Sequence, residues 1–165
     1  MDNVSANFNL SISCKGDNGD TPAADLGKAT EDVTLTRGIT LAHGTGSGQV
    51  NVIFRDIMAV ATLQEIDFND VALKDAFGVG LAFTKLKALY IKNLTGGDLT
   101  IGGASEPLDL FTTSATMTEV IPDDGEWFRT FPGDGLECAT ANGMLEFVHA
   151  VGGAQDVEII AVGVR

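Results

Sequence analysis

The residue clusters that could do chemistry in this chain are few, and each lacks a part that its chemistry needs. Gly44–Gly48 resembles a loop that cradles phosphates, but that loop needs a following Lys and a helix, and the strand-like Gln49–Phe54 follows here. We predict a hairpin connection there instead. Asp17–Asp20 resembles part of a calcium loop, whose twelfth position is a Glu; counting from Asp17, that position is Lys28. We predict that no calcium loop forms.

Histidines and paired acids give equally weak indications of a reactive centre. His43 and His149 are the only histidines, and neither has a Cys or carboxylate at metal-ligand spacing. Glu65 and Asp67 would share one face of a strand, but such pairs are expected in a chain with 23 acidic residues. Pro122–Glu126 could offer carboxylates to a cation, although turns favour Asp and Gly for backbone reasons alone. We predict no catalytic residue, no cofactor and no metal site, with a hydrolase using paired acids as a minor alternative.

The charge and hydropathy of the chain disfavour several classes of partner. The 23 acidic and 10 basic residues give a net charge of −13, and the acids are scattered. Such a field repels phosphate backbones, so we expect no nucleic-acid partner. The apolar runs fall far short of the ~20 residues of a membrane-spanning helix, and the start lacks a secretory signal, so we expect cytoplasmic synthesis and no membrane partner. In that compartment Cys14 and Cys138 are predicted to be buried thiols rather than a disulfide.

The N-terminal segment alternates in hydropathy and is followed by a break. A strand with one buried face is predicted from the apolar residues at every second position, Phe8, Leu10, Ile12 and Cys14. Lys15–Lys28 is rich in Gly and Asp and is predicted to be a loop. We therefore divide the chain into an N-terminal arm and flexible loop, residues 1–32, and a globular domain, residues 33–165.

The rest of the chain reads as short strands between turns. Leu86–Asn93 is apolar on both faces, which is typical of a sheet interior or of a subunit contact. Gly96-Gly97 then predicts a hairpin to the next strand, and Asn142-Gly143 predicts a type I′ hairpin. A helical turn is possible at Val71–Phe77. About ten strands at 8–12-residue spacing predict an all-β, antiparallel β-sandwich, with jelly-roll order as our preferred topology.

Exposed aromatic and apolar residues are the remaining functional candidates. Trp127 and Phe128 lie beside a charged turn, where they could form a sugar-binding platform or an interface hot spot, although core packing is the commoner role. Seven residues from the arm, the two-faced strand and this aromatic pair make up our predicted interface: Phe8, Leu10, Ile12, Leu89, Ile91, Trp127 and Phe128.

A wider pattern resembles a known group of proteins. Its parts are Phe83–Asn93 with Lys87, Ile91 and Asn93, then Leu99–Ala104, the Val120–Gly125 turn and the closing Glu158–Gly163. Together with an Ile66–Phe68 strand they resemble small virion structural proteins of tailed bacteriophages. The resemblance covers roughly residues 33–165, and this chain has Asp123-Asp124-Gly125 where Pro-Gly-Gly is usual in those proteins.

The resemblance implies a role that the residues alone do not give. Proteins of this kind include jelly-roll cement or decoration proteins, which sit on the capsid shell as dimers or trimers. The implied partners are the major capsid protein and further copies of this chain, and the implied location is the capsid surface of the virion. Two other hypotheses stay open: a tail, neck or fibre-base β-sandwich, and a carbohydrate-binding module.

Overall fold

A computed structural model gives the architecture of most of the chain. It describes residues 4–17, 30–75, 78–110, 117–139 and 142–165. Within these ranges every regular element is a β-strand and there is no helix. The predicted all-β class, with antiparallel sheets packed as a sandwich, is confirmed.

The chain divides into two compact units, and the smaller one contains residues Asn7–Thr40. It consists of most of β1 (Ala6–Asp17) and β2 (Thr30–His43), which are hydrogen-bonded neighbours. Leu10 is 51% exposed and Ile12 is 43% exposed, so the prediction that they lie on a buried face is wrong. A pair of strands has no second layer of its own against which to bury a face.

The predicted boundaries of this region are only partly covered by the structure. The first strand continues to Asp17, beyond the point where we expected the loop to begin. The rest of the predicted loop, residues 18–29, lies outside the described residues. The division of the chain into residues 1–32 and 33–165 stays a prediction.

The larger unit contains the remaining described chain, from Leu41 to Arg165 with the residues before Asn7. Its strands are β3 (Gln49–Val50), β4 (Val52–Val60), β5 (Leu63–Asp67), β6 (Lys85–Leu94), β7 (Leu99–Gly102), β8 (Thr118–Ile121), β9 (Glu126–Thr130), β10 (Leu136–Glu137), β11 (Met144–His149) and β12 (Gln155–Val164). One sheet has the order β10-β6-β12-β4, with β9 also paired to β6, and the other has the order β5-β11-β7-β8. All these strand pairs are antiparallel.

The glycine-rich turns connect the two sheets rather than closing hairpins. The Gly96-Gly97 turn leads from β6 in the five-stranded sheet to β7 in the four-stranded sheet, and Asn142-Gly143 lies between β10 and β11, which also belong to different sheets. Both predicted hairpins are therefore wrong. The positive φ of Gly96, 76°, does allow the tight reversal that we expected. A local reversal does not determine which sheet the next strand joins.

Two further local predictions are corrected. Gly44–Gly48 is not a hairpin, because it connects β2 to β3 in parallel, with Ala42 opposite Gln49. The part of Val71–Phe77 that is described, residues 71–75, forms turns and one isolated bridge between Lys74 and Gly80 instead of a helical turn.

Asn93 fixes the turn between the two sheets. Its side chain is fully buried, and its Nδ2 lies 2.7 Å from the Gly97 carbonyl oxygen and 2.9 Å from those of Ile121 and Pro122. Its Oδ1 accepts a hydrogen bond of 2.9 Å from the Thr95 amide. One amide side chain therefore satisfies buried backbone groups of two turns that are about 30 residues apart in sequence.

The core lies between the two sheets. Its members include Phe54, Phe68, Phe83, Leu89 and Phe147, each no more than 2% exposed. The rings of Phe68 and Phe83 meet edge to face, with centroids 6.2 Å apart. Burying side chains of this size stabilises the fold by roughly 1.5–3 kcal/mol each, so the packing between the sheets drives folding of the larger unit.

A β-bulge shapes one end of β6. The register shifts between Val162 and Gly163, which leaves Lys87 as the extra residue. A Cβ at Gly163 would lie 2.1 Å from the Lys85 carbonyl oxygen, so only glycine fits there. The Lys87 side chain is 1% exposed, and its ammonium group donates to the Gly133 carbonyl. Burial, together with nearby Lys85, lowers the pKa of Lys87.

Candidate interaction face

The five-stranded sheet has an outer face that points away from the core and carries apolar residues in register. The register places Tyr90 opposite Ile160 on β12 and opposite Phe128 on β9. Ile160 in turn lies opposite Arg55 on β4, and Ile57 lies two residues further along that strand. We call this surface, formed by Arg55, Ile57, Tyr90, Phe128 and Ile160, the outer face.

Exposure separates this surface from an ordinary polar sheet face. Phe128 is 45% exposed and Ile57 is 54% exposed, while Tyr90 and Ile160 are half-buried between their neighbours. Directly opposed aromatic and β-branched side chains pack well on a sheet surface. The result is an apolar strip across β9, β6 and β12, with Ile57 on β4 diagonal to Ile160. Contiguous apolar surface is the type that proteins use to bind other proteins.

Two ion pairs lie along the apolar strip. An Arg55 guanidinium nitrogen lies 2.9 Å from Glu158 Oε1, and Lys92 Nζ lies 3.8 Å from Glu126 Oε1. Arg55 and Glu126 are well exposed, so each pair contributes at most about 1 kcal/mol to stability. In general, opposite charges beside an apolar strip favour one docking geometry over others.

Tyr90 stays neutral on this face. Burial raises the pKa of its phenol above the ordinary value, and the carboxylates of Glu126 and Glu158 raise it further. Glu126 also accepts a hydrogen bond from the hydroxyl. The ring is therefore an uncharged part of the outer face, and its hydroxyl is already engaged.

The predicted residues of β6 lie on the other side of the sheet. Leu89 and Ile91 are fully buried and belong to the core cluster, so they are not available to a partner of the folded chain. Tyr90, between them in sequence, points outward because successive strand residues face opposite sides. The sequence pattern of β6 did not distinguish the positions that face the core from those that face outward.

The predicted aromatic pair is split in the same way. Trp127 lies opposite Ile91 and is 7% exposed, whereas Phe128 lies opposite Tyr90 on the outer face. The Trp127 indole N–H donates a 2.8 Å hydrogen bond to Glu119 Oε2, and the Arg129 guanidinium lies 5.6 Å from the ring centroid. Trp127 and Phe128 therefore cannot form one sugar-binding platform.

The predicted arm residues belong to the smaller unit. Phe8 is half-buried, and Leu10 and Ile12 are exposed on β1. Ile57, Tyr90 and Ile160 complete the outer face and were not predicted. The sequence feature that could have identified them is that β4, β6 and β12 have apolar residues at alternate positions. This feature indicates an outward-facing apolar residue only when it is known which positions are buried.

The acidic pair lies on the four-stranded sheet, at a shallow opening of about 280 Å³ that Met58 and Leu73 also line. Glu65 accepts hydrogen bonds from the Ser105 amide, at 2.6 Å, and from the Ser105 hydroxyl, at 3.2 Å. Asp67 accepts a 2.8 Å bond from the amide of Asn69. Both carboxylates thus stabilise local backbone.

No metal-binding group was found in the part of the chain that the structure covers. A search of those residues finds no cluster of three or more His, Cys, Asp or Glu side chains. His43 Nδ1 accepts a 3.0 Å hydrogen bond from the Val4 amide. His149 is buried with its Nε2 3.2 Å from the Val60 carbonyl oxygen, so that nitrogen carries the proton.

The cysteines agree with the prediction as far as they are described. Cys138 is a free, buried thiol, and burial raises its pKa from an ordinary value of 9.0 to about 12. The side chain of Cys14 lies outside the described residues.

Comparison with known proteins adds no relative. No family model matches the chain, and neither a curated protein nor a solved structure is significantly similar to it. Among the described residues no helix has the length and apolar character to cross a membrane.

Proposed function

We propose that this protein is a non-enzymatic structural protein of a tailed-phage particle, of the cement or decoration type. Its partners in this role are the major capsid protein and further copies of itself. The observation that carries the proposal is the outer face, an apolar strip on a regular sheet with ion pairs beside it. The resemblance of residues 33–165 to small phage virion proteins is our reason for placing the protein in a phage particle.

In the proposed mechanism, the protein connects neighbouring capsid subunits by burying apolar surface against them. Removing apolar surface from water stabilises a contact by about 25 cal/mol per Å², before the costs of association. Phe128 and Ile57 are the most exposed apolar side chains of the strip, at 45% and 54%. Burying them against a shell subunit, while the smaller unit with exposed Leu10 and Ile12 contacts a neighbour, would join two subunits.

We further propose that the sandwich is a jelly roll. The strands β9 and β10 both pair with β6 in the antiparallel sense, and can be treated as one interrupted strand. Each sheet then has four strands, in the orders β9/β10-β6-β12-β4 and β5-β11-β7-β8. The last strand of the sandwich, β12, lies beside its first strand, β4, and this arrangement supports the two-Greek-key order of jelly rolls.

Binding to empty capsid shells tests the role directly. Purified chain should co-sediment with shells of the phage that encodes it, with saturable stoichiometry, and should raise the temperature at which they disrupt. Phe128→Lys should weaken binding at least tenfold, because it places a charge in the apolar strip. Val71→Lys is the matched control, since Val71 is 64% exposed but lies outside the outer face.

Three results would count against the proposal. One is the absence of binding to any shell form, and another is an equal loss of affinity in the Phe128 and Val71 variants. The third is label at one vertex or along the tail in images of particles bearing labelled chain. Polar label of this kind would support the tail, neck or fibre-base alternative, which the same resemblance allows.

A further inference from the structure

Strand β4 ends the five-stranded sheet with a long and regular edge. It has nine residues, and throughout its length one edge pairs with β12, from Val52 opposite Gly163 to Val60 opposite Gln155. The register has no bulge, and the strand has no proline. In the described chain no strand pairs with the other edge.

Such an edge presents alternate backbone N–H and C=O groups to any extended chain. Natural proteins protect edges with bulges, prolines, coverings or charges. Here the only charged residues are Arg55 and Asp56, next to each other near the middle of the strand. Their positions determine which strand can add to this edge.

A second copy of β4 is a suitable partner in a register that keeps these charges apart and opposes the exposed Ile57 side chains. In an antiparallel pair related by a two-fold axis normal to the sheet, opposed side chains lie on the same face. A pair centred on Arg55 would place the two Arg55 side chains opposite each other, and a pair centred on Asp56 would do the same with the two Asp56 side chains. Like charges that are directly opposed destabilise a strand pair. A pair centred on Ile57 opposes Ile57 to Ile57, Arg55 to Ala59 and Asp56 to Met58, with no like charges opposed.

We propose that two copies of this chain pair through β4 in the antiparallel sense, about a two-fold axis at Ile57. The pairing joins the five-stranded sheets of the two copies into one continuous sheet, and it extends the outer face across both copies. The 54% exposed side chain of Ile57 then packs against its counterpart. Phe54, which faces the core, lies opposite Val60, so these two buried positions are also matched in chemistry.

Cysteine cross-linking tests the register on the purified chain. Ile57→Cys in a Cys14→Ser background should form a disulfide dimer under mild oxidation, since opposed Cα atoms lie about 4.5–5.5 Å apart, within disulfide range. Buried Cys138, with its pKa of about 12, should not compete. Arg55→Cys should not cross-link, because its counterpart lies about 13 Å away. The double variant Arg55→Cys with Ala59→Cys should cross-link again.

Equal cross-linking of the Ile57→Cys and Arg55→Cys single variants, or none in the Ile57→Cys variant, would overturn the proposal. Sedimentation of the unoxidised wild-type chain gives a second readout, and a dimer is expected at 0.5 M salt, where the −13 charges are screened. Ile57→Lys should give a monomer that still unfolds in one cooperative transition, with a midpoint that no longer depends on protein concentration. Leu63→Lys is the control, 60% exposed in the wild type on the other sheet, and should stay dimeric.

A wild-type chain that is monomeric in sedimentation at every concentration would also overturn the proposal. Because these experiments contain no capsid, their failure leaves the proposed binding to shells unaffected, and failure of shell binding leaves the β4 pairing unaffected.

Discussion

At the scale of single residues, a few polar groups hold the sandwich in register. Asn93 is the clearest, because its amide bonds to the carbonyl groups of two turns and to one amide N–H. Lys87 likewise connects the bulge in β6 to the Gly133 carbonyl of the loop between β9 and β10. A buried polar group of this kind costs free energy unless all of its partners are present, so the turns and the side chain depend on each other.

Asn93→Ala should destabilise the larger unit by about 2–4 kcal/mol, because it leaves buried carbonyl oxygens and the Thr95 amide without partners. Urea denaturation measures the change. Asn51→Ala is the matched control, since Asn51 accepts one exposed bond from the Arg165 amide and should cost at most about 1 kcal/mol. Equal losses in the two variants would show that Asn93 has no special role.

Cys138 should be unreactive in the folded chain. At pH 8 a thiol reagent should modify Cys138 only after unfolding, because its pKa is raised to about 12 and the side chain is 3% exposed. The folded state keeps this proton at pH values where the unfolded chain has lost it. The contribution of this thiol to the free energy of unfolding should therefore be fully present below about pH 9 and should be lost as the pH rises towards 12. Cys138→Ala should remove that part of the alkaline decline; an identical pH profile would contradict the assignment.

At the scale of elements, the strands could be predicted from the sequence, but their partners could not. The alternation at residues 8–14 and the glycine pair at residues 96–97 locate a strand and a reversal, since both depend on neighbouring residues. Whether β7 pairs with β6 depends on contacts that are distant in sequence, such as Asn93 with Pro122. The same reason explains the candidate interface. A strand that is apolar on both faces does not show whether Tyr90 or Ile91 faces the core.

The contact between β8 and β9 connects the edges of the two sheets and can be tested alone. Glu119→Ala should destabilise the fold by about 1–3 kcal/mol, because it removes the charged acceptor of the part-buried hydrogen bond from the Trp127 indole N–H. Trp127 is the only tryptophan, so its fluorescence follows unfolding of this contact. Glu119→Gln keeps an acceptor oxygen and should retain most of the stability. A Gln variant as unstable as the Ala variant would show that the hydrogen bond is not the cause.

At the scale of the whole molecule, charge opposes compactness and self-association. With 23 acidic and 10 basic residues, the folded chain repels itself and its copies, and a basic partner surface would relieve that repulsion. The apolar outer face and the β4 edge lie on the same sheet of this acidic molecule. Contacts there can form only where local burial exceeds a long-range repulsion that salt controls.

Salt should therefore stabilise the isolated chain. Raising NaCl from 0.01 M to 0.15 M shortens the screening length from about 30 Å to about 8 Å, so the denaturation midpoint should rise. The surface pairs Arg55–Glu158 and Lys92–Glu126 weaken under the same change, but each contributes little. Equilibrium denaturation at several salt concentrations measures whether the overall repulsion or the attractive ion pairs have the larger effect on stability. A midpoint that falls with salt would show that attractive pairs dominate.

The position of β12 in the five-stranded sheet has a consequence for the order in which the protein can mature. β12 lies between β4 and β6, and it is synthesised after both of them, with Gly163 pairing to Val52 across more than a hundred residues. During synthesis β4 lacks its partner strand until β12 has left the ribosome. Closure of such distant pairs is slow, so the five-stranded sheet should reach its native state in a single late step, after β12 has been made.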